Sequence, residues 1–286
     1  MKEGTGVRNR KVPCARPIHM RTALTAPALL MALLAFGTSC AGPQSPAAPE
    51  PPSVGPAELL VGVREIPGTP SPQILRGLPR LSLYGDGRAI TPSGRTGALQ
   101  TATVRRLTGE RVRDLYRDAY ATARTAVESP EVVDGGVLAL TVAEARRTGA
   151  SRPEPDAAEL PLQADEIAEF RARTDPAKWP DTAFESGPRP YTPASLAVFA
   201  TPVEGGDEDA EPVVWPYDDP GLTGMPTREG QCTALAPDAS RAAQRLARAA
   251  TPETLWRAPG GRTYHLDFRP LLPDETGCGD LGHPGA

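Results

Sequence analysis

The residues best suited to chemistry stand near the carboxyl end of the 286-residue chain. His265, Asp267 and Arg269 alternate with Tyr264, Leu266 and Phe268. A period of two puts the first three on one face of a strand. A histidine with an aspartate two residues away is the pattern of a general base and the carboxylate that orients it. No serine or cysteine is placed by sequence to serve them as nucleophile. The same alternation describes the solvated face of a half-buried strand, and that is the expectation for it.

Metal and phosphate chemistry find little support. A zinc site needs three or four His, Cys or acidic ligands at suitable spacing, and downstream of residue 39 the only histidines are His265 and His283. The chain has no HExxH, GxSxG or GxxxxGK[ST] pattern. The acidic run Glu204, Asp207, Glu208, Asp209 and Glu211 lacks the ligand spacing of a calcium loop and reads as solvated. Arg241, Arg245 and Arg248 share the outer face of a helix, where they can grip an anion or face water. The expectation is no metal and no cofactor.

The cysteines say more. Lys2, Arg8, Arg10, Lys11, Arg16 and Arg21 precede an uncharged apolar run, Thr22 to Phe36. Fifteen residues are too few for a bilayer-spanning helix, which needs about 20. Gly37, Thr38 and Ser39 then lead to Cys40. This order reads as a signal peptide over 1–39 followed by a cysteine acylated on its thiol, as in a bacterial lipoprotein. Met20 is an alternative start, and Cys14 lies upstream of the cut. Two cysteines remain, Cys232 and Cys278. In an oxidising compartment they are expected to pair, and closing a loop of that length stabilises by about 4 kcal/mol.

Composition agrees with this address. The chain carries 31 Lys and Arg against 35 Asp and Glu. The first 39 residues hold six of the cations and one of the acids, which leaves 25 against 34 and a net charge of −9. A body so acidic repels nucleic acid. The stretch 41–57 is proline-rich and reads as an extended tether.

The elements follow from periodicity. Strands are expected at 59–66, with Leu59, Val61 and Val63 on one face, in a hairpin over 81–91 turning at Asp86-Gly87, and at 98–107, 137–143 and 195–201. A helix is expected over 109–123, capped by Thr108, with Tyr116 and Tyr120 in its core stripe. Further helices are expected over 160–173 and 237–250, the latter burying Ala239, Ala242, Ala243, Leu246, Ala249 and Ala250. A last hairpin over 254–268 turns at Pro259-Gly260-Gly261, and 202–230 reads as irregular, with its tryptophan at 215 folded back on the core. With 34 prolines and 28 glycines the elements must be short. The fold class is α+β, with short antiparallel strands and hairpins and about three helices. The body is 58–286, with a division near 58–150 and 151–286 left open, as is a duplicated hairpin-plus-helix unit.

Two segments carry a family likeness. Leu78-Pro79-Arg80-Leu81-Ser82-Leu83-Tyr84-Gly85-Asp86-Gly87-Arg88 and Phe268-Arg269-Pro270-Leu271-Leu272-Pro273-Asp274-Glu275 resemble segments of uncharacterised secreted actinobacterial lipoproteins of streptomycete type. The likeness covers the two ends of the body, and implies an address, not an activity. Three functions follow as alternatives. The first is a lipid-anchored binding or scaffolding module on the outer face of the cell membrane, meeting an envelope protein or a small ligand. The second is a secreted hydrolase assembled from distant residues, with His265 and Asp267 as candidates. The third is a purely structural envelope protein.

Overall fold

The computed structural model describes residues 49–68, 76–125, 136–144, 155–162, 165–203 and 211–281. The leader, Cys40, His283 and the acidic residues 204–209 lie outside them. Residues 46–286 form one unit built on a single sheet of 13 strands. In chain order the strands are β1 (Leu59–Ile66), β2 (Leu81–Tyr84), β3 (Arg88–Thr96), β4 (Leu99–Arg106), β5 (Val137–Ala143), β6 (Pro155–Pro161), β7 (Arg189–Pro190), β8 (Leu196–Pro202), β9 (Val213–Val214), β10 (Met225–Thr227), β11 (Gly230–Leu235), β12 (Leu255–Arg257) and β13 (Thr263–Pro270). Three α-helices lie among the described residues: α1 (Gly109–Thr125), α2 (Asp165–Arg173) and α3 (Pro237–Ala249). The class is α+β, dominated by the sheet.

The sheet runs β10-β11-β8-β13-β4-β3-β2-β1-β5-β6. Every neighbour along this path is antiparallel except β13 and β4, which run parallel and share one register pair, Phe268 with Leu99. That junction is a seam between two half-sheets. Each half repeats one plan. A central strand (β1 or β8) is flanked on one side by a hairpin that precedes a helix, and on the other by a hairpin that follows it.

One face of the sheet carries the helices. Leu115, Tyr116 and Ala119 of α1 and Ile167 and Phe170 of α2 pack on Val61, Val63, Leu81 and Leu83. The Tyr116 hydroxyl donates to the Ala143 carbonyl at 2.9 Å, so this tyrosine belongs to the core as expected. Thr108 caps α1 through its Oγ1, which accepts from the Arg111 amide at 3.3 Å. In the other half, Ala243 and Ala247 of α3 lie over Leu196, Val198, Leu266 and Phe268. The approach there is close. Ala98 donates its amide to the Ala247 carbonyl at 2.8 Å. A Cβ on neighbouring Gly97 would sit 2.4 Å from the Ala250 oxygen, and Gly97 has φ +62°, so only glycine fits this turn.

Four expectations are corrected. Leu59 does not share a face with Val61 and Val63. The pairing of β1 with β2 shifts register between Leu59 and Val61, so Leu59 turns to the opposite face. Leu160 and Pro161 are strand, not helix. They pair with Leu138 and Val137, and the helix begins at Asp165. The buried stripe of α3 is Ser240, Ala243, Gln244 and Ala247, rotated from the expected one. A helix so rich in alanine offers little apolar contrast to fix its angle. The stretch 202–230 is not wholly irregular: β9 and β10 lie in it, β9 pairing in parallel with β12 and β10 forming a hairpin with β11.

Candidate functional site

The second face of the sheet carries no α-helix among the described residues. It is covered by the carboxyl-terminal strap, 271–281, which leaves the end of β13 and crosses the seam. Leu272 packs on Tyr84, Ile90 and Ala102 of one half-sheet. Leu271, Cys278 and Leu281 pack on Ala197, Phe199 and Cys232 of the other. The Leu271 amide donates to the Ser195 carbonyl at 3.0 Å, and its own carbonyl accepts from the Tyr191 hydroxyl at 2.8 Å. Cys232 and Cys278 are joined, with 1.99 Å between the sulfurs and 6.0 Å between the Cα atoms. The expected pairing holds, and it ties the strap to β11.

Beneath the strap lies a buried charge cluster. Arg269 points to this face because Phe268 points to the other. Its side chain has no solvent exposure. Nη1 and Nη2 each donate to one oxygen of Glu275 at 2.7 Å, a two-pronged pair. Glu275 also accepts from the Leu272 amide at 2.8 Å, which closes a tight turn in the strap. Arg64 of β1 lies near this cluster and donates to the Gly77 carbonyl at 3.0 Å. Burial and the neighbouring Arg269 pull the Arg64 guanidinium down to about 10, where it is still charged at neutral pH.

Tyr84 completes the cluster by donating its hydroxyl to Asp274 at 2.6 Å. Burial raises the Tyr84 pKa, and the Asp274 carboxylate raises it further. Asp274 itself is raised above the ordinary carboxylate range, first by burial, against the bond from Tyr84, which lowers it. A raised carboxyl has a definite sign in stability. The folded chain holds the proton more tightly than the unfolded chain, so ionised Asp274 opposes folding at neutral pH. That opposition fades as pH falls through the raised value towards about 4. Asp274→Asn is therefore expected to be more stable than the wild type at pH 7, with the advantage shrinking on acidification. Urea midpoints at pH 7 and pH 4.5 check this; a variant less stable at both would refute it.

The sequence candidates fall at the rim of the cluster. Asp267 accepts from Arg95 Nη1 at 2.8 Å and Nη2 at 3.3 Å, and from Gln100 Nε2 at 3.4 Å. Gln100 in turn donates to the Arg76 carbonyl at 2.8 Å. These contacts brace β13 against the β3–β4 hairpin across the seam. Among the described residues no hydrogen bond joins Asp267 to His265. The His265 side chain is exposed, beside Thr201 in the register of β8. The expectation of a uniformly solvated face is thus correct for His265 and overturned at Arg269, because the strap lies on top. Arg241, Arg245 and Arg248 line the exposed side of α3. Trp179 and Trp215 both fold back on the core.

Sequence reasoning missed Arg64 and the burial of Arg269, Asp274 and Glu275. A signal existed. Tyr84 lies in 78–88 and Arg269, Asp274 and Glu275 lie in 268–275, the two segments singled out in the sequence; the fold brings the two together. Among the described residues no group of three His, Cys, Asp or Glu side chains is placed to hold a metal. Nor is any helix there long and apolar enough to cross a membrane. No protein-family model, curated protein or solved structure matches the chain.

Proposed function

We propose that the chain is an extracytoplasmic lipoprotein of the actinobacterial type, exported by the signal in 1–39 and anchored to the outer face of the cell membrane by acylated Cys40. Its body acts as a binding or scaffolding module at the envelope, engaging an envelope protein or a small ligand. The bonded Cys232–Cys278 pair carries this reading. It takes two of the three cysteines downstream of the apolar run, and such a bond forms and persists in an oxidising compartment. Two acyl chains are enough for stable anchoring where one is marginal. The proline-rich segment from residue 41 is the tether between anchor and body. Its described end, 49–57, already touches the body: Glu50 pairs with Arg117, Val54 packs on the core under α1, and Arg88 donates to the Pro56 carbonyl at 2.8 Å.

The inner cluster supports a scaffold in particular. Arg269, Glu275, Tyr84, Asp274 and Asp267 have partners within the fold, and those partners hold two half-sheets and a strap in one geometry. The net charge of −9 over residues 40–286 points away from nucleic acid.

The test is Cys40→Ser in an actinobacterial host that processes lipoproteins. The wild type is expected in the membrane fraction and in the detergent phase on Triton X-114 partition. The variant is expected to leave both, with at least a tenfold shift to the aqueous phase. Equal partition of the two would overturn the anchor. Detergent-solubilised wild type passed over envelope extract is expected to retain a defined partner; retention of none would count against the binding role.

A further inference from the structure

The helix-bearing face of the sheet is polarised in charge. The exposed side of α2 presents Asp165, Glu166 and Glu169, and that of α1 presents both signs. The exposed side of α3 presents Arg241, Arg245 and Arg248, whose spacings of four and three set them in one outward row. Many arginines of this fold are committed to carboxylates, as in Arg269–Glu275, Arg95–Asp267 and Arg171–Glu65. In the α3 row only Arg241 has such a partner, Asp238 on the preceding turn. Arg245 donates to the Arg241 carbonyl at 3.2 Å, and among the described residues no carboxylate pairs with Arg245 or Arg248. Leu222, 63% exposed, lies on this side of the sheet too. Its neighbour Gly221 abuts the Tyr264 ring of the core under α3, and Tyr217 of the same loop donates to the Ala239 carbonyl at 3.0 Å. The chain from Cys40 also arrives on this side, where Glu50 pairs with Arg117 of α1 and Val54 packs on the core under α1. Ten residue steps separate Cys40 from Glu50, and a fully extended chain covers at most about 35 Å in that many.

We propose that the arginine row of α3 is a second membrane contact, in which Arg241, Arg245 and Arg248 meet the phosphates of anionic lipid headgroups and Leu222, on the loop held to α3, meets the acyl boundary. This rests on the anchor proposed above, which brings the body to the bilayer. Three observations select a lipid surface as the occupant. The row is positive, and guanidinium forks suit phosphate oxygens. The chain from the anchor arrives on the helix-bearing side, so its short path to the bilayer leads to this face and not to the strap. An exposed leucine accompanies the arginines, and a lipid surface takes both where a soluble polyanion takes charge alone. The net charge of −9 over residues 40–286 does not oppose this. At physiological salt, charges beyond about 8 Å are largely screened, so the bilayer senses the row that touches it. The acidic side of α2 then tilts the other end of the same face away. Tethering keeps the row close to the surface, which turns a weak contact into an occupied one.

Arginine footprinting of the acylated chain tests this. The protein is mixed with vesicles of phosphatidylcholine alone, or with about one-third phosphatidylglycerol, and labelled with p-hydroxyphenylglyoxal before mass spectrometry. Labelling of Arg241, Arg245 and Arg248 is expected to slow at least about threefold on the anionic vesicles and to recover in about 0.5 M salt. Arg189 is the control. It is exposed and pairs in register with Val104, which packs on the strap side, so its labelling should change by less than about 1.5-fold. Equal labelling of the α3 row on the two kinds of vesicle overturns the contact, as does equal slowing at Arg189. Flotation keeps the anchor separate. Failure of the acylated wild type to float with phosphatidylcholine vesicles would sink the anchor, and the arginine face is then decided on chains that carry no acyl group. In a Cys40→Ser background, the triple variant Arg241→Gln, Arg245→Gln and Arg248→Gln should bind the anionic vesicles at least about tenfold more weakly than its parent. Equal binding there overturns the contact and leaves the anchor untouched.

Discussion

Replacing Glu275 with alanine is expected to lower the unfolding free energy by about 3–5 kcal/mol, enough to threaten folding at 37 °C. The reason is the partner left behind. The Arg269 side chain is fully buried, and both ends of its guanidinium fork donate to Glu275. Removing the carboxylate leaves a positive charge under the strap with Arg64 close enough to repel it. It also frees the Leu272 amide, which Glu275 Oε2 accepts at 2.8 Å. The cost is that of an uncompensated buried charge, not the net value of the ion pair. The double variant Arg269→Met with Glu275→Leu separates the two. It removes both charges and keeps apolar volume, so it should recover most of the loss. Urea unfolding at pH 7 measures both, with the slope expected to stay constant if only the native state is affected. A loss under about 1 kcal/mol for the single variant would show that water reaches Arg269 and that the strap does not seal this face.

The sequence could not place this cluster because strand periodicity reports alternation, not what lies on either side. Tyr264, Leu266 and Phe268 mark one face of β13 as apolar, and the structure puts them in the core under α3. The other face reads His, Asp, Arg, which is what a solvated face also reads. Only the chain after the strand decides between the two. Leu271 and Leu272, followed six residues later by Cys278, are the local hint that this segment turns back onto the sheet. The helix over 109–123 was legible because its stripe alternates large apolar and charged residues. The one over 237–250 gave its limits, but not its angle, for want of that contrast. Leu160-Pro161 misled because a proline suits both a first helical turn and the end of an edge strand. The pairing with β5, far away in the chain, settled it.

The same logic explains where the fold spends its arginines. The seam between β4 and β13 has one register pair, so backbone ladders alone join the half-sheets weakly. Side chains supply the rest. Arg95 reaches Asp267 from the β3–β4 hairpin, and Gln100 links Asp267 to the backbone of Arg76. Glu275 and Asp274 bring the strap to Arg269 and Tyr84. Together these side chains hold the two half-sheets and the strap in one arrangement.

On the helix-bearing face the corresponding anchor is Trp215, and Trp215→Ala is expected to cost about 3–5 kcal/mol. Its ring is 2% exposed and packs edge-on to Trp256 at 5.8 Å and Tyr217 at 4.9 Å, and against Phe268 at 6.0 Å. It also positions the loop that follows. Nε1 donates to the Asp218 carbonyl at 3.0 Å, and the main-chain amide donates to Arg257 at 2.9 Å. The next residue, Asp219, is buried and accepts from the Tyr264 hydroxyl at 2.8 Å and the Gly221 amide at 2.9 Å. Losing the indole therefore opens a cavity beside Trp256 and loosens the support of a buried carboxylate. Trp215→Phe keeps an aromatic ring and loses the N–H, and should cost roughly half as much. Leu222, 63% exposed on the same loop, is the control: Leu222→Ala should fall within about 0.5 kcal/mol of wild type. Urea midpoints rank the three, and the near-ultraviolet circular dichroism of the Trp215–Trp256 pair should vanish in the alanine variant alone. If Trp215→Ala cost no more than Leu222→Ala, the aromatic cluster would not be the anchor of this face.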